Sequence, residues 1–196
     1  MKKYRDHYFK KAKQESYPAR SVYKLKEIQN RFTILRPGQS VLDLGAAPGS
    51  WSRFAAEKVG SKGSVLAVDL KESSADLPGQ VHFIQADLLD PGRELTEALE
   101  ERYPLDVVLS DMAPQTTGIK IRDQARSLEL AEVALVLARQ WLKVGGGLVV
   151  KIFDGPDVPE FRNELRRSFG SLKTFKPKSS RAESKETFFV AQDFKG

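Results

Sequence analysis

A chain of 196 residues, 40% hydrophobic and 30% charged, has the size and composition of one globular domain. Without cysteine and with only His7 and His82, it has no disulfide, no thiol catalysis and no Cys-based metal centre, and a protein-bound metal is not expected. The net charge of +6 is uneven: residues 1–26 hold nine Lys/Arg and two Asp/Glu, residues 27–170 hold 17 and 21, and residues 171–196 hold six and three, giving +7, −4 and +3.

No apolar run approaches the ~18 residues of a membrane span, and the opening MKKYRDHYFKKAK lacks the apolar stretch of a signal peptide. The expectation is a cytoplasmic monomer without a membrane partner.

In chain order, SVYKLKEIQNRF (21–32) reads as a helix and residues 1–35 as a basic N-terminal appendage to a single domain spanning 1–196. VLDLGAAPGSW (41–51) is a strand, a glycine turn and the start of a helix that continues through SRFAAEKV. The runs GSVLAVDL (63–70) and VHFIQADL (81–88) are strands separated by a loop with Pro78 and Gly79. RELTEALEERY is helical and leads into the strand LDVVLSDMAP (105–114). SLELAEVALVLARQWL (127–142) is a buried helix, GGGLVVKIF (145–153) a strand, and PEFRNELRRSF (159–169) an amphipathic helix. Two strands close the chain, SLKTFKP and ETFFVAQDF, joined by a short basic loop and therefore expected to end the sheet antiparallel. Strands alternating with helices predict an α/β, Rossmann-like doubly wound domain with a mostly parallel sheet.

The glycine turn constrains the ligand. Gly45 and Gly49 let the backbone approach a bound molecule closely, but Pro48 has no N–H to offer a phosphate, and no Gly-Lys-Ser/Thr follows. Ligands of open parallel sheets sit at the carboxyl ends of the strands, where this sequence places Asp43, Asp69, Asp87 and Asp111. Asp69, 20 residues past Gly49, has the position of an acid that accepts from ribose hydroxyls. Asp87 could accept from an adenine amine, and Asp43 or its neighbouring backbone could meet an ammonium group. A ligand with an amine, a ribose and an adenine but no phosphate is S-adenosylmethionine.

Asp111 stands in SDMAP, where Pro114 stiffens the turn after the strand. Lys151 interrupts an otherwise apolar strand, which calls for a sheet edge or a partner. The N-terminal arm sets Tyr4, Tyr8, Phe9, Tyr17 and Tyr23 among cations, a mixture suited to phosphates and unstacked bases. Its Lys10, Lys11, Lys13 and Arg20, with Lys176, Lys178 and Arg181 of the late basic loop, are the candidate RNA contacts.

The ordered set SVYKLKEI, VLDLGAAPGSW, AVDL, ADLLD, VLSDMAP, VVKIF and SSRAESKETFFV resembles the FtsJ-like large-subunit ribosomal RNA 2′-O-ribose methyltransferases, from about Ser16 to Phe194. The resemblance implies an S-adenosylmethionine-dependent enzyme that methylates a uridine ribose in large-subunit ribosomal RNA of an assembled or nearly assembled subunit. It also implies a catalytic tetrad of Lys24, Asp111, Lys151 and Glu186, with cofactor contacts at Gly49, Trp51, Asp69, Asp87 and Asp111. Ser50 departs from the pattern, since a second glycine is common after Pro-Gly.

Within that chemistry Lys151 meets the 2′-hydroxyl, either as a base, favoured by burial beside Lys24, or as an ammonium held by Asp111 and Glu186. Rival readings of the same residues are a nicotinamide-dependent dehydrogenase, a small-molecule methyltransferase, a messenger-RNA cap ribose methyltransferase and a non-catalytic RNA-binding assembly factor.

Overall fold

A computed structural model describes residues 2–73, 75–181 and 184–196, with side chains from residue 7 onward. The elements are α1 (Lys2–Gln14), α2 (Val22–Phe32), β1 (Ser40–Leu44), α3 (Ser50–Val59), β2 (Ser64–Asp69), β3 (Val81–Gln85), α4 (Gly92–Glu100), β4 (Leu105–Ser110), α5 (Lys120–Trp141), β5 (Leu142–Phe153), α6 (Val158–Ser168), β6 (Phe169–Phe175) and β7 (Glu186–Phe194). Seven strands form one sheet in the order β3-β2-β1-β4-β5-β7-β6. The first five run parallel, and β7 lies antiparallel between β5 and β6. The chain reverses its direction of winding between β1 and β4, which opens a crevice there.

Both faces of the sheet are covered, as the near-continuous apolar strands require. Leu42, Leu44, Leu66, Val68, Val108, Leu148, Val150 and Phe189 face α4, α5 and α6. The alternate residues Val41, Val65, Val107, Leu109, Val149, Phe188 and Val190 face α2 and α3. Val22, Leu25 and Ile28 of α2 are fully buried against this second face, each contributing about 1.5–3 kcal/mol by the area it removes from water. The N-terminal segment is thus part of the core: Ala12, Tyr17, Ile34 and Leu35 pack into the same cluster.

The strands and helices fall close to where the periodicity places them, but α1 is not foreseen, β4 stops at Ser110 rather than Pro114, and three further displacements bear on the site. Helix α5 starts at Lys120, seven residues before the expected Ser127, because KIRDQAR is polar and shows no apolar stripe. Its first turn is anchored by Asp123, whose carboxylate accepts N–H groups from Thr117 and Gly118 and the Thr117 hydroxyl. Strand β5 begins at Leu142 rather than Gly145, since pairing to β4 absorbs the glycines through a register shift. Strand β3 ends at Gln85, so Asp87 lies beyond it, bridged to Asp90.

Candidate active site

Strand alternation selects the side chains that gather at the crevice. Asp43 has the parity of Val41 in β1, Asp111 that of Val107 and Leu109 in β4, Lys151 that of Val149 in β5, and Glu186 that of Phe188 in β7. All four therefore belong to the face covered by α2 and α3. Register does the rest. Ser110 pairs with Val150, which sets Asp111 beside Lys151, and Lys151 pairs with Phe188 near the start of β7. Lys24 arrives from α2.

The result is a row of alternating charge. Lys151 Nζ donates to Asp111 Oδ1 at 2.9 Å and to the Asp111 carbonyl at 2.5 Å. Lys24 Nζ donates to the same Oδ1 at 3.3 Å and to Glu186 Oε2 at 3.0 Å, and lies 5.6 Å from the Phe188 ring centroid. Lys151 is only 5% exposed, in a strand paired on both sides, so its reason for being there is a partner and not a sheet edge. Burial by itself raises the Asp111 carboxyl, but Lys151 and Lys24 outweigh it and hold that group below its ordinary range. At Lys24, desolvation disfavours the ammonium, and Asp111 with Glu186 reverses this and raises it.

The glycine turn adjoins this row. Gly49 has φ +100°, and a Cβ there would meet Leu77 at 2.6 Å; Gly45 has φ +73°, and a Cβ would meet Met112 at 2.8 Å. These two positions admit only glycine without a rearrangement. Asp43 is fully buried, accepts the Ser52 hydroxyl at 2.6 Å through Oδ2, and has no partner for Oδ1. Burial, with Asp111 and Asp69 nearby, pushes its carboxyl up to about 7, against the lowering effect of Ser52. With Oδ1 buried as well, the Asp43 side chain offers a ligand no surface to touch, and only its charge can be felt from the crevice. Asp69 accepts the N–H groups of Ala47 and Lys71, fixing it beside the turn, and Asp87 is exposed and accepts the N–H of Leu89.

One expected contact, Trp51, has another duty, and so has Ser50, the residue that departs from the pattern. Trp51 is 3% exposed, packs its ring against Phe188 and donates its indole N–H to the Ser21 carbonyl, so neither the ring nor the indole N–H is open to a ligand. The buried Ser50 hydroxyl accepts the Ala19 N–H at 2.6 Å, so the departure from glycine ties the N-terminal segment to the turn.

A cavity of about 580 Å³ opens at the Lys24–Glu186 end of the row, lined by Arg20, Lys24, Lys120, Asp123, Arg181, Lys185 and Glu186 among others, while Asp111 and Lys151 do not line it. It includes none of the glycine-turn residues. The two basic ends of the chain meet here, since Arg20 Nη2 donates to the Ser179 carbonyl at 2.7 Å. The cavity wall also recruits Lys120 and Asp123 from the unforeseen first turns of α5, and Gln124, whose amide bonds the Asp154 carbonyl.

The remaining basic residues lie farther out. Lys10, Lys11 and Lys13 are exposed on α1, with Lys11 3.8 Å from Glu15, and Lys176 donates to the Ser184 carbonyl. Lys178 is exposed and gives its backbone N–H to Glu27. The arm's aromatic rings are mostly not open to bases. Tyr17 and Tyr23 are buried, Tyr17 donating its hydroxyl to Glu57 at 2.6 Å, while the Tyr8 ring packs tilted against Tyr23, centroids 5.2 Å apart. Burial pushes the Tyr23 hydroxyl up to about 12. Phe9 is 60% exposed, and the Tyr4 side chain lies outside the described residues. Among the described residues there is no cluster of three or more His, Cys, Asp or Glu able to hold a metal ion, and no helix is long and apolar enough to cross a membrane.

Fold and site define a methyltransferase of the Rossmann-like α/β class. The family model of FtsJ-like methyltransferases matches residues 17–194, and the chain belongs to that family. It is 60% identical over 196 residues to a protein of Nitratidesulfovibrio vulgaris (strain DP4) named ribosomal RNA large subunit methyltransferase E, covering 100% of this chain and 96% of that one. A protein of the same name from Lawsonia intracellularis is 52% identical over 195 residues, covering 100% and 98%. Among solved structures, a Plasmodium falciparum protein provisionally described as a ribosomal RNA methyltransferase superposes with a TM-score of 0.79 at 30% identity, covering 92% of this chain and all of that one.

Proposed function

We propose that this protein transfers a methyl group from S-adenosylmethionine to the 2′-hydroxyl of a uridine ribose in large-subunit ribosomal RNA, acting as a cytoplasmic monomer on an assembled or nearly assembled subunit. The observation that carries the reading is the Lys151–Asp111–Lys24–Glu186 row, with the glycine turn packed beside Met112 next to Asp111 and a cavity lined by Arg20, Lys120, Arg181 and Lys185 at its Lys24–Glu186 end. The names of the 60% and 52% identical relatives support ribosomal RNA as the substrate. A ribose 2′-hydroxyl exists only in RNA, and a cationic cavity suits its phosphates.

The glycine turn fits the cofactor: Gly45 and Gly49 leave room for close approach, Asp69 would hold the ribose, Asp87 the base, and the backbone beside the buried Asp43 the ammonium group. When bound there, S-adenosylmethionine supplies an electrophilic methyl group on a sulfonium.

The chain's own residues then align a hydroxyl and manage one proton. Lys151 spends two hydrogen bonds on Asp111, which fixes its nitrogen and leaves one direction for the substrate oxygen. In that direction it acts as the base that takes the proton or as the ammonium that orients the oxygen lone pair toward the methyl group. Asp111 and Glu186 hold Lys24, whose charge offsets theirs at the base of the cavity. Alignment of this kind can supply on the order of 7–11 kcal/mol of a barrier in the best cases.

The test is transfer of labelled methyl from S-adenosylmethionine to undermethylated large subunits, with free RNA alongside, followed by digestion to nucleosides. Label in 2′-O-methyluridine supports the reading. Label on a base, or none despite measured cofactor binding, overturns it.

A further inference from the structure

The segment between β6 and β7 is longer than its ends require. The strands are antiparallel neighbours, which two to five residues could join, yet ten residues separate Phe175 from Glu186. It carries Lys176, Lys178, Arg181 and Lys185, and Arg181 and Lys185 form one wall of the cavity. A basic loop has no electrostatic reason to settle on a helix that carries Lys24 and follows Arg20.

What seats it is Glu27. Its Oε2 accepts the Lys178 N–H at 2.7 Å and its Oε1 the Ser179 N–H at 2.8 Å, so one carboxylate takes two consecutive backbone donors. From the other side Arg20 Nη2 donates to the Ser179 carbonyl at 2.7 Å. Ser179 and Ser180 are 2% and 5% exposed, which makes this the embedded part of the loop, while Arg181 next to it is exposed. Glu27 lies three residues after Lys24 on α2, hence on the same side of the helix. The loop's far end returns to that helix through the Lys24–Glu186 pair.

We propose that Glu27 is a positioning residue for the RNA substrate. By fixing the loop on the helix that bears Lys24, it holds Arg181 and Lys185 at a set distance from the catalytic row, where they meet the phosphates flanking the target ribose. This rests on reading the cavity as the RNA site. Glu27 touches neither substrate nor cofactor. Its loss frees the loop, weakens the capture of RNA and leaves the alternating row in place.

The test compares Glu27→Ala and Glu27→Gln with wild type in methyl transfer to undermethylated large subunits. The expected result for Glu27→Ala is a KM for the subunit raised about 10- to 100-fold, the scale of hydrogen bonds to a charged group, with kcat and S-adenosylmethionine affinity near wild type. Glu27→Gln, which sets an amide N–H against one backbone donor, is expected to fall between them. Amide exchange at Lys178 and Ser179 accelerates in both variants, and Arg181→Ala costs less in the Glu27→Ala background than in wild type.

Unchanged KM with accelerated exchange, or unchanged exchange, overturns the proposal. So does a parallel fall of kcat, cofactor affinity and melting temperature in both variants, the mark of a merely structural role. Wild type that methylates no RNA overturns the functional reading instead, and is seen in the same experiment.

Discussion

Asp43 gives the most quantitative handle on the site. Its carboxyl is fully buried with one oxygen unpartnered, and its pKa is displaced from 3.8 to about 7. Between those values the folded protein keeps a proton that the unfolded chain has released, so stability falls as pH rises through this window. A displacement of this size is worth about 4 kcal/mol at full ionisation. Asparagine in this position can still accept the Ser52 hydroxyl and never ionises. Denaturant unfolding of wild type and Asp43→Asn from pH 4.5 to 8 should therefore show the variant gaining on wild type by a few kcal/mol as pH rises, with the two curves parallel above about pH 8. A cationic ligand bound near the buried carboxyl favours the carboxylate through its charge, so S-adenosylmethionine binding near pH 7 should release protons from wild type and fewer from Asp43→Asn. Calorimetry in buffers of different ionisation enthalpy reads this directly. A stability difference that does not change with pH would refute the argument that burial governs this group.

Three further outcomes follow from the same geometry. Gly49→Ala should weaken S-adenosylmethionine binding measured by calorimetry, since alanine is strained at a φ of +100° and its Cβ would push Leu77 aside, shifting the turn. Asp111→Asn removes the one carboxylate shared by Lys151 and Lys24 and should cost about 3–5 kcal/mol of unfolding free energy, the scale for breaking a buried ion pair. Wild type should lose the same contribution below the ordinary carboxylate range, as falling pH protonates Asp111 through its depressed pKa. Charge reversal at Lys10, Lys11 and Lys13 should weaken RNA binding and flatten its salt dependence, read in binding titrations at several salt concentrations, without moving cofactor affinity.

Much of this site was legible before any coordinates. The strand–glycine turn–helix at 41–59, the acids at the ends of β2 and β4 and the lysine inside β5 are local patterns, and strand parity brings Asp43, Asp111, Lys151 and Glu186 to one face. Other features depend on contacts across the fold and leave no local trace. Trp51 and Tyr17 look like ligand-facing aromatics in the sequence, and only the packing of α2 and α3 against the sheet commits them to the core. Asp43 reads as a strand-end acid exposed to ligand, but it lies within β1 and is wholly buried. Glu27 looks like one more helix-surface glutamate, because its partners are backbone N–H groups 151 and 152 residues away. The polar start of α5, which supplies a cavity wall, shows no apolar stripe at all.

The central claim is that the row anchored by Lys151 carries out methyl transfer. Single-turnover transfer to undermethylated large subunits, with wild type and Lys151→Met at matched cofactor and subunit saturation, tests it most directly. The account predicts a rate at least about 100-fold lower in the variant, the lower end of what a positioned proton-handling group contributes, with both ligands still bound. A Lys151→Met enzyme that transfers methyl to the ribose at the wild-type rate would contradict it.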